Sequence, residues 1–176
     1  MKAIFILLSV LLFSGSVSCQ NKEPERMAIF NDYGIHINET GQGRPAVIIE
    51  AGLGSGLDDY DTLQTAISKF TRVLSYDRPG IGKSAKSPNP RTLPFYVDEL
   101  RLLRQKENIR SPYILVGHSL GGLIIRYYAY QFPKEVAGLV LIDCIPEGWL
   151  EYFRTTHSDE EVKMLNKVTD PGQYTG

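Results

Sequence analysis

The chain has 176 residues, 43% of them hydrophobic and 22% charged, and its 19 Lys and Arg against 20 Asp and Glu leave a formal net charge of −1. This is ordinary globular composition, long enough for one hydrophobic core. Balanced charge without a basic run gives no electrostatic footprint for nucleic acid. Three scattered histidines, two distant cysteines and no nucleotide fingerprint lead us to expect neither metal nor cofactor.

The first residues, "MKAIFILLSVLLFSGSVSCQ", place Lys2 before an apolar run from Ala3 to Phe13 and then small residues up to Cys19. This is the layout of a secretory signal, so residues 1–18 read as a signal peptide and export is expected. The apolar run is shorter than the roughly 20 residues needed to span a bilayer. Cys19 has two readings. "SGSVSC" resembles a bacterial lipoprotein box, which would make Cys19 a lipidated N-terminus and membrane tether, or Ser16-x-Ser18 is an ordinary cleavage site. The expected location is the cell envelope as a lipoprotein, or the periplasm or medium. Lipidation of Cys19 would leave Cys144 without an intrachain partner, which speaks against a structural disulfide. The polar residues of 19–27 read as a tether.

Next, "MAIFNDYGIHIN" predicts two short strands around a turn, and "PAVIIE" (45–50) a buried strand. After the glycines of "EAGLGSG", Leu57, Tyr60, Leu63, Ala66, Ile67 and Phe70 recur at helical spacing. "RVLSY" (72–76) is a further strand. A Pro/Gly/Ser-rich loop then leads into a helix carrying Tyr96, Val97, Leu100 and Leu103 and ending near Ile109. "YILVG" is a strand apolar on both faces, "SLGGLIIRYYAYQF" a helix stopped near Pro133, and "VAGLVLID" (136–143) a last strand. Tyr127, Tyr128 and Tyr130 cannot share one helix face, and at least two are expected to pack. The alternation of strands and helices predicts an α/β fold: a mostly parallel sheet with helices on both faces, its core over residues 28–148. Residues 149–176 read as a partial cap built of one amphipathic helix or two.

Gly117-His118-Ser119-Leu120-Gly121 fits G-x-S-x-G between an apolar strand and a helix. A serine on so sharp a turn leaves no room for side chains at 117 and 121. The turn projects the Ser119 hydroxyl outward and sets the Leu120 N–H at a helix start, where it can stabilise an oxyanion. A second donor is expected from the Leu53 N–H in "AGLG". His118 is expected to be structural, because adjacent residues at a strand end point to opposite sides. Asp77 and Arg78 are expected to hold their own loop.

Four segments together resemble the α/β-hydrolase superfamily: "GHSLGG" as its nucleophile elbow, "YDRPGIGKS" as the loop after the fourth strand, "EAGLGSG" as the oxyanion loop and "FPKEVAGLVLID" as the sixth strand. The resemblance covers roughly residues 28–148. It implies Ser119 as nucleophile and the Leu53 and Leu120 N–H groups as the oxyanion hole, in a serine hydrolase cleaving an ester, amide or similar acyl bond of a small molecule. Where many members have His-Gly, this chain has Ala51-Gly52.

The superfamily orders its triad Ser, acid, His. The candidates here are Asp143, at the end of "VAGLVLID", and His157, the one histidine after Ser119. "LVLID" commonly ends this strand without supplying the acid, and "RTTHSDEE" is a natural exposed cap segment. A terminal strand apolar on both faces would also leave an unpaired, aggregation-prone edge. The expectation is therefore the N-terminal part of a hydrolase fold lacking its last two strands. The alternative function is an inactive fragment or a non-catalytic binding module.

Overall fold

Short apolar runs separated by glycine- and proline-rich turns build one six-stranded sheet. The computed structural model describes residues 25–30, 33–146 and 148–162. The expected signal peptide, Cys19 and the first part of the tether lie outside these residues, as does the end of the expected cap.

In chain order the elements are β1 (Glu25–Phe30), β2 (Tyr33–Thr40), β3 (Val47–Glu50), a 3-10 turn (Leu57–Tyr60), α1 (Asp61–Ser68), β4 (Val73–Tyr76), α2 (Leu93–Lys106), β5 (Tyr113–His118), α3 (Leu120–Gln131), a 3-10 turn (Pro133–Glu135), β6 (Val136–Ile142) and α4 (Trp149–Thr156). Their order across the sheet is β1-β2-β4-β3-β5-β6. The β1–β2 and β2–β4 pairs are antiparallel, and β4, β3, β5 and β6 run parallel. The C-terminal ends of the parallel strands, at Glu50, Tyr76, His118 and Ile142, therefore meet at one edge.

Alternation along the strands feeds two apolar layers, as a doubly covered sheet requires. Ile48, Leu74 and Leu115 pack with Val97, Leu100 and Leu103 of α2 and Ile124, Ile125 and Tyr128 of α3. Val47, Ile49, Val73 and Val116 face the other way, onto Tyr60 and α1 residues Leu63 and Ile67. Helices thus cover both faces. Tyr128 is fully buried, Tyr127 packs on the margin of the core, and Tyr130 is exposed.

Some local expectations are revised. The helical pattern from Leu57 to Phe70 is split. Its first turn is a 3-10 turn pinned where the Leu57 N–H donates to Asp77 Oδ1 (2.8 Å). Phe70, counted on the apolar face, lies beyond α1 and is 85% exposed. The residue that α1 buries instead is Gln64, whose amide donates to Asn38 O (3.0 Å) and Thr40 Oγ1 (3.2 Å) while the Ser75 hydroxyl donates to its Oε1. A polar side chain satisfied in this way is invisible to an apolar count. The second helix ends at Lys106, since Asn108 turns to φ 53°. β1 begins at Glu25, inside the expected tether, and Arg26 ties it to Glu39 (3.2 Å) and Glu107.

At the sheet's edge, Leu139, Val140, Leu141 and Ile142 of β6 are each exposed between 37% and 47%. At the end of β5 away from Ser119, Glu135 accepts hydrogen bonds from Tyr113 (2.9 Å) and Tyr128 (2.7 Å) and ion pairs with Arg101 (2.8 Å) and Arg104 (3.3 Å). Partial burial pushes its carboxyl upward, but the Arg101 guanidinium and the two hydroxyls outweigh this and hold it at about 2. A carboxylate held below its unfolded value stabilises the fold above the unfolded value, and that stability is lost as pH falls toward the folded one. Glu135→Gln removes this contribution. The difference in urea midpoint between wild type and Glu135→Gln is therefore expected to shrink as the pH is lowered from about 6 to about 3.

Candidate active site

Between β5 and α3 the chain turns through Ser119, which takes φ 50° and ψ −115°. A non-glycine residue at positive φ carries strain and persists only where its surroundings enforce it. Here they do: the Ser119 N–H donates to Ile142 O (3.1 Å), while its carbonyl accepts from Gly122 N (3.1 Å) and Ile145 N (3.4 Å). The flanking glycines are needed for room. A Cβ on Gly117 would sit 2.6 Å from Gly121 O, and one on Gly121 would strike the carbonyls of Glu50 and Ala51. The helix-start backbone is thereby pressed against the end of β3.

The loop after β3 closes the other side. A Cβ on Gly52 would lie 2.9 Å from His118 Nδ1 and 3.6 Å from Ser119 Cβ, so this loop sits directly against the serine. Among the described residues neither the Leu53 N–H nor the Leu120 N–H has a hydrogen-bond acceptor, and both residues are partly exposed. Leu120 is the first residue of α3, whose initial N–H groups carry the positive end of the helix dipole. Two unengaged donors thus flank the serine. His118 is turned to structure: its Nδ1 lies 2.9 Å from the Tyr60 hydroxyl, which in turn accepts the Gly52 N–H (3.0 Å).

A family model described as the alpha/beta hydrolase fold matches residues 45–165. The chain belongs to this family. Among relatives, RutD of Yersinia enterocolitica, a protein assigned as a carbamate hydrolase, is 38% identical over 133 residues, 73% of this chain and 48% of RutD. The uncharacterized protein YqjL of Bacillus subtilis is 33% identical over 103 residues, 58% of this chain and 41% of YqjL. A solved alpha/beta hydrolase from Novosphingobium aromaticivorans superposes with a TM-score of 0.63 at 29% identity, over 75% of this chain and 49% of that one. The chain thus spans less than half the length of these three proteins.

Within the alpha/beta hydrolase frame, none of the remaining candidates has a hydrogen bond to the serine side chain among the described residues. Asp143 follows β6 between the two residues that hydrogen-bond the Ser119 backbone; it is exposed and takes φ 43°. His157 caps α4 in solvent. Its ring stacks on Phe153 (3.7 Å between centroids), with Nδ1 turned to Phe153 O (3.1 Å) and Thr156 Oγ1 (2.9 Å). His36 is buried under β1, with Nδ1 on Asp77 (2.8 Å) and Nε2 on Glu25 (2.8 Å). Among the described residues no hydrogen bond joins any of the three histidines to Ser119. Among the described residues no group of three metal-ligating side chains forms, and no helix is long and apolar enough to cross a membrane.

Asp77 holds its own loop as expected, accepting the N–H of Lys83 (3.0 Å) in addition to Leu57 and His36. Arg78 does more than that. Buried beside Glu50 (2.8 Å), it also donates to Ala51 O (2.5 Å) and Gly52 O across the sheet. Burial raises the Glu50 carboxyl and outweighs Arg78, and the Tyr76 hydroxyl donates to its second oxygen. Glu50 and Tyr76 stand at the ends of apolar strand runs and open the two loop motifs, but nothing local to either residue, or to Tyr60, names the partner it takes. Because a Cβ at 121 meets rigid backbone, Gly121→Ala is expected to cost about 3 kcal/mol in urea unfolding. Gly54→Ala, with φ +74° and open space around it, is expected to cost about 1 kcal/mol.

Proposed function

We propose that the protein is an exported serine hydrolase that cleaves an ester, amide or similar acyl bond through an acyl-enzyme on Ser119. The observation that carries this reading is the strained turn of Ser119 at the head of α3, beside a loop whose Leu53 N–H is unengaged. The Ser119 hydroxyl attacks the substrate's carbonyl carbon as a base takes its proton, and the C=O electron pair moves onto oxygen. The Leu53 and Leu120 N–H groups hold that oxyanion. Its collapse breaks the bond to the alcohol or amine, which leaves with a proton from the base. Water then attacks the acyl-serine by the same route. Similarity to a protein assigned as a carbamate hydrolase favours small acyl substrates.

The base is the open element. Asp143 is this chain's candidate acid, and His157 can serve as base only on a movement that unstacks it from Phe153 and carries it to Ser119. A second reading follows from the histidines: with all three bonded elsewhere, the described residues form a binding module that presents Ser119 and its neighbouring backbone donors without turnover. Fluorophosphonate labelling separates the two. Under the hydrolase reading the native protein is labelled well above the heat-denatured protein, and Ser119→Ala abolishes labelling. Equal labelling of native and denatured protein favours the binding module.

Export rests on Lys2, the apolar run Ala3–Phe13 and the small residues before Cys19. In this reading Cys19 is the lipidated tether and the protein sits in the cell envelope. Cys19→Ala is expected to move it from the membrane fraction to the soluble fraction and to remove the lipid mass from its N-terminal peptide. An unmodified wild-type peptide beginning at residue 19 overturns the tether and leaves simple secretion.

A further inference from the structure

The loop that carries Leu53 is gripped from two sides, and one grip comes from Arg78, on the loop after β4. From below, Arg78, 4% exposed, sends Nη1 to Glu50 Oε1 (2.8 Å) and Ala51 O (2.5 Å) and Nη2 to Gly52 O. From the side, Tyr60 accepts the Gly52 N–H (3.0 Å) and lies against His118, the residue before the serine (2.9 Å). Both the N–H and the C=O of Gly52 are therefore held.

The consequence follows from peptide geometry. The C=O of Gly52 and the N–H of Leu53 belong to one peptide plane, which is trans, since the cis bonds lie at Arg44-Pro45 and Ser111-Pro112. In a trans peptide these two groups point in opposite directions. Arg78, together with the longer bond from the Ser55 N–H (3.4 Å), holds the carbonyl on one side of the peptide, so the Leu53 N–H is directed to the opposite, open side, where it has no acceptor among the described residues. A flip of this plane would replace a donor with a carbonyl oxygen facing the developing negative charge. We infer that Arg78 is a positioning residue for the oxyanion hole, its planar fork fixing the Gly52–Leu53 peptide so that the Leu53 N–H faces the reacting oxygen.

The fork matters more than the charge. Two nitrogens reach two successive carbonyls while the same group neutralises the buried Glu50 carboxylate, which one ammonium cannot reproduce. Glu50 has the complementary task of keeping the guanidinium at this depth, with Tyr76 on its other oxygen. A positive charge so placed would otherwise be drawn toward water.

The inference rests on the proposed hydrolase reading. Its test uses Arg78→Lys in the full chain with two measurements. In the first, the second-order rate of Ser119 labelling by a fluorophosphonate, whose phosphoryl oxygen must enter the hole, is expected to fall about 100-fold, the scale of losing one oxyanion donor. In the second, hydrogen exchange of the Gly52 amide, read by NMR, is expected to rise at least about tenfold as the loop loosens, while core amides such as Leu115 keep their protection. The double variant Arg78→Met with Glu50→Gln removes the charge pair together and serves if Arg78→Lys does not fold. Unchanged labelling in a folded variant overturns the positioning role, and so does unchanged Gly52 exchange. Should wild type itself fail to label, the hydrolase reading falls, and Gly52 exchange alone decides whether Arg78 holds the loop.

Discussion

The buried pair of Arg78 and Glu50 ties the ends of two neighbouring parallel strands to the loop between them. Both side chains are at most 5% exposed, and neither is left with only its partner: Tyr76 donates to Glu50, and two backbone carbonyls take two further guanidinium N–H groups. Removing either member of such a pair typically costs about 3–5 kcal/mol, because the other is stranded as a charge without water. Sharing the guanidinium among three acceptors turns that liability into rigidity. The chain uses it at the C-terminal edge of the sheet, where the serine stands.

Rigidity there has a second source in backbone packed against backbone. Gly121 brings the first turn of α3 onto the carbonyls of Glu50 and Ala51, and Gly117 brings β5 under it. The strained φ of Ser119 is held because its N–H and C=O are both engaged, by Ile142 on one side and by Gly122 and Ile145 on the other. Beside this, Asp77 gathers His36, Leu57 and Lys83, fastening the loop after β4 to β2 and to the 3-10 turn. His36 adds Glu25 of β1. Charges and hydroxyls thus connect strands that the apolar layers merely stack.

Much of this fold was legible in the residues. β3, β4 and β5 are short runs apolar on both faces, and buried parallel strands need that pattern. The strand–turn–helix around Ser119 could be read from glycine spacing between an apolar strand and a helical run, since only glycine tolerates contacts this close. The helix boundaries read less well. The pattern ending at Phe70 looked like one long helix, and its break at Tyr60 comes from a hydrogen bond to Asp77, 20 residues away from Leu57. Burial of Gln64 was hidden for the same reason, its partners lying on β2 and β4.

At the site, local chemistry was enough to place Ser119 on a sharp strand-to-helix turn and to require its flanking glycines, because each of these depends on a few consecutive residues. It could not reveal that Arg78 leaves its own loop to hold Gly52, 26 residues earlier, or that His118 rests on Tyr60, 58 residues away. Those pairings arise only when β3, β4 and β5 come together in the sheet. Periodicity and turn chemistry report what neighbours along the chain require, whereas a buried charge takes its partner from whatever the assembled sheet brings within reach.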